Sequence, residues 1–197
     1  MINRKTIKTS AGIDKIAAFL AAGCLVFSAA ASGQTDETKA KEPASDSDSK
    51  IVYMSVAYIK KFCDSWNEDE LLTEGLANSE WIDNDGDKGF KIIQLYRRDC
   101  PDSDPVEMQF ERQDDKAMCV YAGKVENPDL DRGSDYEMFA DTKRWVEMGN
   151  GDYGPMKGMM FGRLKFKGPK MEAMGNMGPF KNFLLMFGAP GDTSKCP

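Results

Sequence analysis

Histidine is missing from all 197 residues. With it go the imidazole general base, the Ser-His and Cys-His nucleophile pairs and every histidine-ligated metal site. No C-x-x-C pair occurs, so the spacings of a dithiol redox motif and of a zinc finger are both lacking. Cations are in deficit: 26 Lys and Arg face 32 Asp and Glu, a formal net charge of −6. That balance argues against nucleic acid as the main partner. These absences remove most common enzyme mechanisms and point toward binding, so no catalytic residue, metal ligand or cofactor is assigned. Acid/base work by the neighbouring acids Asp99 and Asp102 stays an alternative, with nothing in the sequence to place them in a pocket.

What is present begins with a leader-like segment. Arg4, Lys5, Lys8 and Lys15 precede an apolar run from Ile16 to Phe27, which ends in Ser28-Ala29-Ala30-Ala31. The run is too short to span a bilayer and has the order of a signal peptide: basic, apolar, small-residue cut site. Residues 1–31 are therefore expected to direct export to the periplasm or beyond. A lipoprotein reading, with Cys24 lipidated after Leu20-Ala21-Ala22-Gly23, is the alternative; against it, Leu25, Val26 and Phe27 continue the apolar run past the cysteine. Residues 32–50 hold no aromatic, Leu, Ile, Val or Met. Such a stretch cannot bury enough apolar surface to offset chain entropy, and it reads as a flexible linker. The folded unit is expected over residues 51–197, the size of one domain.

Four cysteines fall in that unit: Cys63, Cys100, Cys119 and Cys196. In an exported chain they allow two disulfides in three connectivities, with unpaired thiols as the alternative. Cys100 and Cys119 border one expected hairpin, so they are the first pair to test.

Val56, Ile59, Phe62, Cys63 and Trp66 follow helical spacing. Residues 68–76 form a second short helix, with Leu71, Leu72 and Leu76 inward. Strands follow at 90–98, 106–112, 116–124 and 136–141, the second alternating cleanly with Val106, Met108 and Phe110 on its dry face. A loop spans 125–134. Trp145, Val146 and Met148 lie on one short helix and Met156, Met159 and Met160 on another. The run Arg163-Leu164-Lys165-Phe166-Lys167 alternates as a fifth strand. Residues 170–187 carry Met171, Met174, Met177, Phe180 and Phe183 on a helix broken near Gly175 and Gly178. The sum is α+β: a five-stranded, mostly antiparallel sheet covered on one face by helices.

Three features invite functional readings. Asp83, Asp85 and Asp87 have the first spacings of a calcium loop, but Lys88 stands where glycine is required and Gln94 where a bidentate acid is required. A solvated turn is the reading adopted. Nine of the 13 methionines lie beyond residue 130. They alternate with Phe and Leu on helical faces, which suits a packed core or an adaptable apolar cavity wall better than a Cu(I) site. Third, residues 156–181 hold six cations and one anion, Glu172. Arg163, Lys165 and Lys167 share the wet face of one strand, and they are either a solubilising face or a docking surface for anionic lipid headgroups.

The order helix, glycine break, helix, strand and apolar helix, set by Trp145, Gly149, Gly151, Pro155, Gly162, Leu164 and Gly168, resembles the sterol carrier protein family of small lipid-transfer domains. The resemblance covers roughly residues 55–190. It implies a non-catalytic protein that takes up one apolar lipid, such as a sterol, hopanoid or fatty acid, and transfers it between membranes. It also implies an open tunnel between sheet and helices. The lining expected from this arrangement is Val106, Met108, Phe110, Met156, Met159, Met160, Leu164, Phe166, Met174, Met177, Phe180 and Phe183. A periplasmic interaction or Met-based metal-handling protein that uses the same fold without cargo is the second reading.

Overall fold

The computed structural model describes residues 50–197. The expected leader at 1–31, and the linker as far as residue 49, lie outside the described residues. Among the described residues no helix is long and apolar enough to cross a membrane.

Two helices open the domain. In α1 (Val56–Asn67) the Ser55 hydroxyl accepts from the Tyr58 amide, closing the first turn. Its stripe of Tyr58, Ile59, Phe62, Cys63 and Trp66 is buried, as the spacing required. Asp69 caps α2 (Glu70–Asn78) in the same way, through the Leu72 amide at 3.1 Å. Leu72 and Leu76 face inward there, but Leu71 is 48% exposed, contrary to expectation. It lies one position off the buried stripe, which Thr73 joins instead.

The sheet contains β1 (Lys91–Arg97), β2 (Val106–Gln113), β3 (Lys116–Lys124), β4 (Tyr136–Ala140) and β5 (Lys165–Lys167). Their spatial order is β3-β2-β1-β4-β5, and β1 with β4 is the parallel pair in an otherwise antiparallel sheet. Register aligns Val106, Leu95, Met138 and Phe166 in one row across four strands. A second row joins Met108, Ile93 and Tyr136. Both rows face the helices. The Trp66 indole donates to the Ala117 carbonyl at 2.9 Å, and Asn67 exchanges two hydrogen bonds with the Cys119 backbone. These fix α1 over β3. The ring of Phe110 lies 4.3 Å from that of Trp66.

The pairing slips between Gln109 and Phe110, so that Tyr121 faces the first and Cys119 the second. Val120 is the extra residue of a β-bulge and is exposed. The bulge turns Cys119 toward α1, where it forms a disulfide with Cys63. Cys100, in the turn after β1, pairs with Cys196. The hairpin pair Cys100–Cys119 is thus corrected: the two residues border one hairpin but face different layers.

The opposite sheet face departs from simple alternation. Glu107 is expected on a wet face, yet it is fully buried. Its carboxylate accepts from the side-chain amides of Gln94, Gln109 and Asn127 and from the Asn127 backbone, at 2.7–3.1 Å. The 125–134 loop folds over this face and supplies Asn127. Four donors satisfy a carboxylate that would otherwise be costly to bury.

The C-terminal half carries α3 (Thr142–Gly149), α4 (Pro155–Met160), α5 (Lys170–Gly175) and α6 (Met177–Leu185), ending in a 3-10 turn at Met186–Gly188. The Phe187 ring, in that turn, meets Phe62 at 4.6 Å and Trp145 at 4.8 Å. Gly149 makes this crossing possible, because a Cβ there would overlap the Phe187–Gly188 backbone. Gly168, at φ +139°, lets the chain leave β5 beside β4: a Cβ would sit 2.5 Å from the Asp135 carbonyl oxygen. The last residues are held by buried Arg97, whose guanidinium donates to the Lys195 and Thr193 carbonyls and to the Thr142 hydroxyl.

Candidate lipid-binding site

The sheet rows and the C-terminal helices leave a small apolar cavity. Trp66, Trp81, Tyr136, Met138, Phe166 and Phe183 form most of its wall, with Ala173 and Asn176 closing one side. It holds about 40 Å³. That is room for a few water-sized groups and far too little for an acyl chain or a sterol. This cavity is too small to be the tunnel that the resemblance implied.

A second depression lies outside α5. This groove of about 380 Å³ is lined by Met156, Met159, Met160, Leu164, Phe166 and Met174, with Lys165 and Lys170 on its rim. Phe166 lines both spaces and forms part of the partition between them. The rest of the partition is α5, whose Ala173 faces the cavity and whose Met174 faces the groove.

The twelve expected lining residues therefore divide. Met156, Met159, Met160, Leu164, Phe166 and Met174 share the groove. Phe180 and Phe183 join Phe166 at the cavity. Val106, Met108 and Phe110 line neither: they are buried in the sealed core under α1 and α2. Met177 packs against that core and also lines neither space. Met156 and Met160 of α4 face outward and Met159 is half-buried against the core, because that helix buries Pro155 and Gly158 most deeply. Met160 is 72% exposed, Phe161 64% and Met171 79%.

Behind the Trp81 and Tyr136 rings of the cavity wall lies a polar cluster that the sequence did not reveal. Lys91 faces the helix layer, opposite Phe110 in register, and is fully buried. Its ammonium donates to both Glu172 oxygens, at 2.9 and 3.2 Å, and to the Asn84 carbonyl. It also lies 4.9 Å from the Trp81 ring centre and 5.3 Å from that of Tyr136. The Tyr136 hydroxyl donates to Glu172 at 2.8 Å and accepts from the Trp81 indole at 3.0 Å. Burial pulls the Lys91 ammonium below the usual lysine range, an effect Glu172 opposes. Burial first, and then the Glu172 charge, push the Tyr136 phenol far up. Every polar atom of this cluster is satisfied, and the anion comes from α5.

The basic streak is not one uniform face. Lys167 pairs with Glu137 at 3.1 Å and lies over the Phe139 ring. Arg163 stacks on Tyr153 at 4.6 Å. Lys165 and Lys170, at the groove rim, form no ion pair among the described residues. The Asp83–Asp87 turn is occupied by its own contacts: Asp83 binds Arg112 through two hydrogen bonds, and Asp85 accepts from the Asp87 and Gly89 amides.

Fold and site together define an α+β domain whose sheet and helices border a small apolar cavity, with a buried Lys91–Glu172 pair behind its wall. Residues 95–181 match the SCP-2 sterol transfer family. The matched segment runs from β1 into α6, and it leaves out α1 and α2, which supply Trp66, Leu72 and Leu76 to the cavity. Among solved structures, a crystal structure of sterol carrier protein 2 is 16% identical, covering 68% of this chain and 95% of that one, with a TM-score of 0.44. A solution structure from Thermus thermophilus, described as a possible sterol carrier protein, is 17% identical over 75% of this chain and 99% of that one, at 0.41. The apo form of sterol carrier protein 2 from Yarrowia lipolytica is 18% identical over 68% and 97%, at 0.39. No curated protein matches the chain.

Proposed function

We propose that this protein binds an apolar lipid non-covalently and transfers it between membranes in an exported compartment. The observation that carries the reading is the methionine-lined groove set against an apolar cavity, with Phe166 between them. The match to the SCP-2 family implies apolar lipid binding in general terms. A sterol, hopanoid or fatty acid is the cargo class; acyl-CoA does not suit a chain outside the cytoplasm. Methionine walls suit such cargo, because the flexible, polarisable side chain adapts to varied apolar shapes. The leader-like residues 1–31 and the two disulfides support export, since such bridges persist in oxidising compartments. Residues 32–50 would then tether a domain at 51–197, with a Cys24 lipid anchor as the alternative to a soluble form.

Loading is proposed to happen at the groove. Exposed Met160, Phe161 and Met171 would enter the interfacial layer of a membrane, and the free ammonium groups of Lys165 and Lys170 would meet anionic headgroups. Lys167 and Arg163 contribute less, being engaged with Glu137 and Tyr153.

The test is native mass spectrometry of protein from its own host, with lipid extraction, followed by transfer of a fluorescent lipid between anionic vesicles. A reproducible bound lipid is expected. Replacing Met160 and Phe161 together by serine should lower the transfer rate about tenfold or more, given the apolar area withdrawn from the interface. Clean apo protein with no transfer activity sinks the reading, and a bound copper ion would favour metal handling instead.

A further inference from the structure

Lys91 lies behind the two rings, Trp81 and Tyr136, that line the cavity wall, and its counter-ion stands on α5, the helix between cavity and groove. Helix α5 has six residues, buries Ala173 alone and has no side-chain N-cap. It is preceded by Gly168 and Pro169 and ends at Gly175. What fastens it is Glu172: both carboxylate oxygens meet Lys91, one accepts from the Tyr136 hydroxyl, and the same oxygen accepts from Asn84 at 3.1 Å. Asn176 closes the helix by donating to the Glu172 carbonyl. A carboxylate bound by an ammonium and a phenol, just behind the wall of an apolar space, is the arrangement that an amphiphilic acid requires.

We propose that Lys91 and Tyr136 form the headgroup site for a long-chain carboxylate, and that Glu172 occupies that site as a built-in stand-in until the ligand displaces it. This deepens the lipid-binding reading above and rests on it. When a ligand carboxylate takes over Lys91, Glu172 is released to solvent and α5 swings away from the wall. The 40 Å³ cavity and the groove then become one space through the gap beside Phe166, and the acyl chain fills it. Lys91 stays paired in both states, so no uncompensated charge is buried at either end of the exchange. The closed cavity follows from the same device: without ligand, Glu172 holds α5 shut.

The experiment compares oleate with methyl oleate, which has the same chain and no charge, on the full-length protein. Trp66 and Trp81 line the cavity, so their fluorescence reports filling directly. Wild type should bind oleate about tenfold more tightly than methyl oleate, the margin of a charge-assisted contact over a neutral one. Lys91→Met should abolish that preference and leave methyl oleate binding in place. Glu172→Gln removes the competing carboxylate, so it should tighten oleate several-fold with no gain for the ester. If Lys91→Met does not fold, the Glu172→Gln comparison decides alone. Equal binding of both ligands by wild type, with oleate affinity unchanged by Glu172→Gln, overturns the headgroup site and leaves lipid binding standing. No binding of either ligand, with no lipid extracted from native protein, overturns both readings.

Discussion

Phe110 and Phe166 face the same side of one sheet, from β2 and β5, and alternation treats them alike. Their surroundings do not. Phe110 is fully buried between Trp66 and Trp81, whereas Phe166 is partly exposed between cavity and groove. Phe110→Ala should therefore cost about 3–5 kcal/mol of stability by leaving a void in packed surroundings. Lipid affinity of the molecules that remain folded should change little; urea unfolding and lipid titration on one preparation separate the two effects. Phe166→Ala should do the reverse, with a smaller stability loss and a changed lipid affinity. Lys91 shows the limit of residue-level reading. A lysine opening a strand reads as solvated. Only its register opposite Phe110 turns it inward, and only Glu172, 81 positions later, makes that tolerable.

At the scale of elements, helices and strands with strong periodicity were legible. The α1 stripe, the VEMQFER alternation and the break between α5 and α6 all follow from local spacing. What escaped was decided by contacts between elements. The Val120 bulge rotates Cys119 toward α1, and no local signal in KAMCVYAGK announces it. The α4 methionines have helical spacing, yet Pro155 and Gly158 take the inward positions, because small residues let the helix approach Met148 and Leu164 closely. The disulfides give a test at this scale. They close loops of 56 and 96 residues, and chain-entropy reasoning assigns them about 4 and about 5 kcal/mol. Mass spectrometry of unreduced peptides should recover Cys63–Cys119 and Cys100–Cys196. Cys100→Ser with Cys196→Ser should lower the urea midpoint while leaving the Cys63–Cys119 peptide intact; a recovered Cys100–Cys119 peptide in wild type would refute the pairing.

Across the whole molecule, anions outnumber cations, yet many carboxylates are paired. Hydrogen bonds from Arg112, Arg98 and Arg144 hold Asp83, Asp141 and Glu147 below the usual carboxylate range. A carboxylate with a depressed folded-state pKa adds stability that is fully present above its unfolded value and lost as pH falls through its folded one. The urea midpoint should thus change little from pH 7 to 5 and fall below about pH 4, where unfolded carboxylates take up protons. A flat profile to about pH 2.5 would contradict this pairing.

The sequence alone determined which chemistry is closed to this protein, where its helices and strands lie, and that its C-terminal half has the element order of a sterol carrier domain. Those properties are local: they depend on residue type, on spacing and on neighbours within a few positions. Tertiary structure decided which apolar residues are sealed core and which line a groove, how four cysteines pair, and that a buried lysine meets a glutamate from α5. Each of these depends on register and on which face an element turns to a partner distant in the chain. The Pro155–Met160 helix belongs to both accounts: its spacing made it a helix, and packing left Met156 and Met160 exposed while Met159 rests against the core.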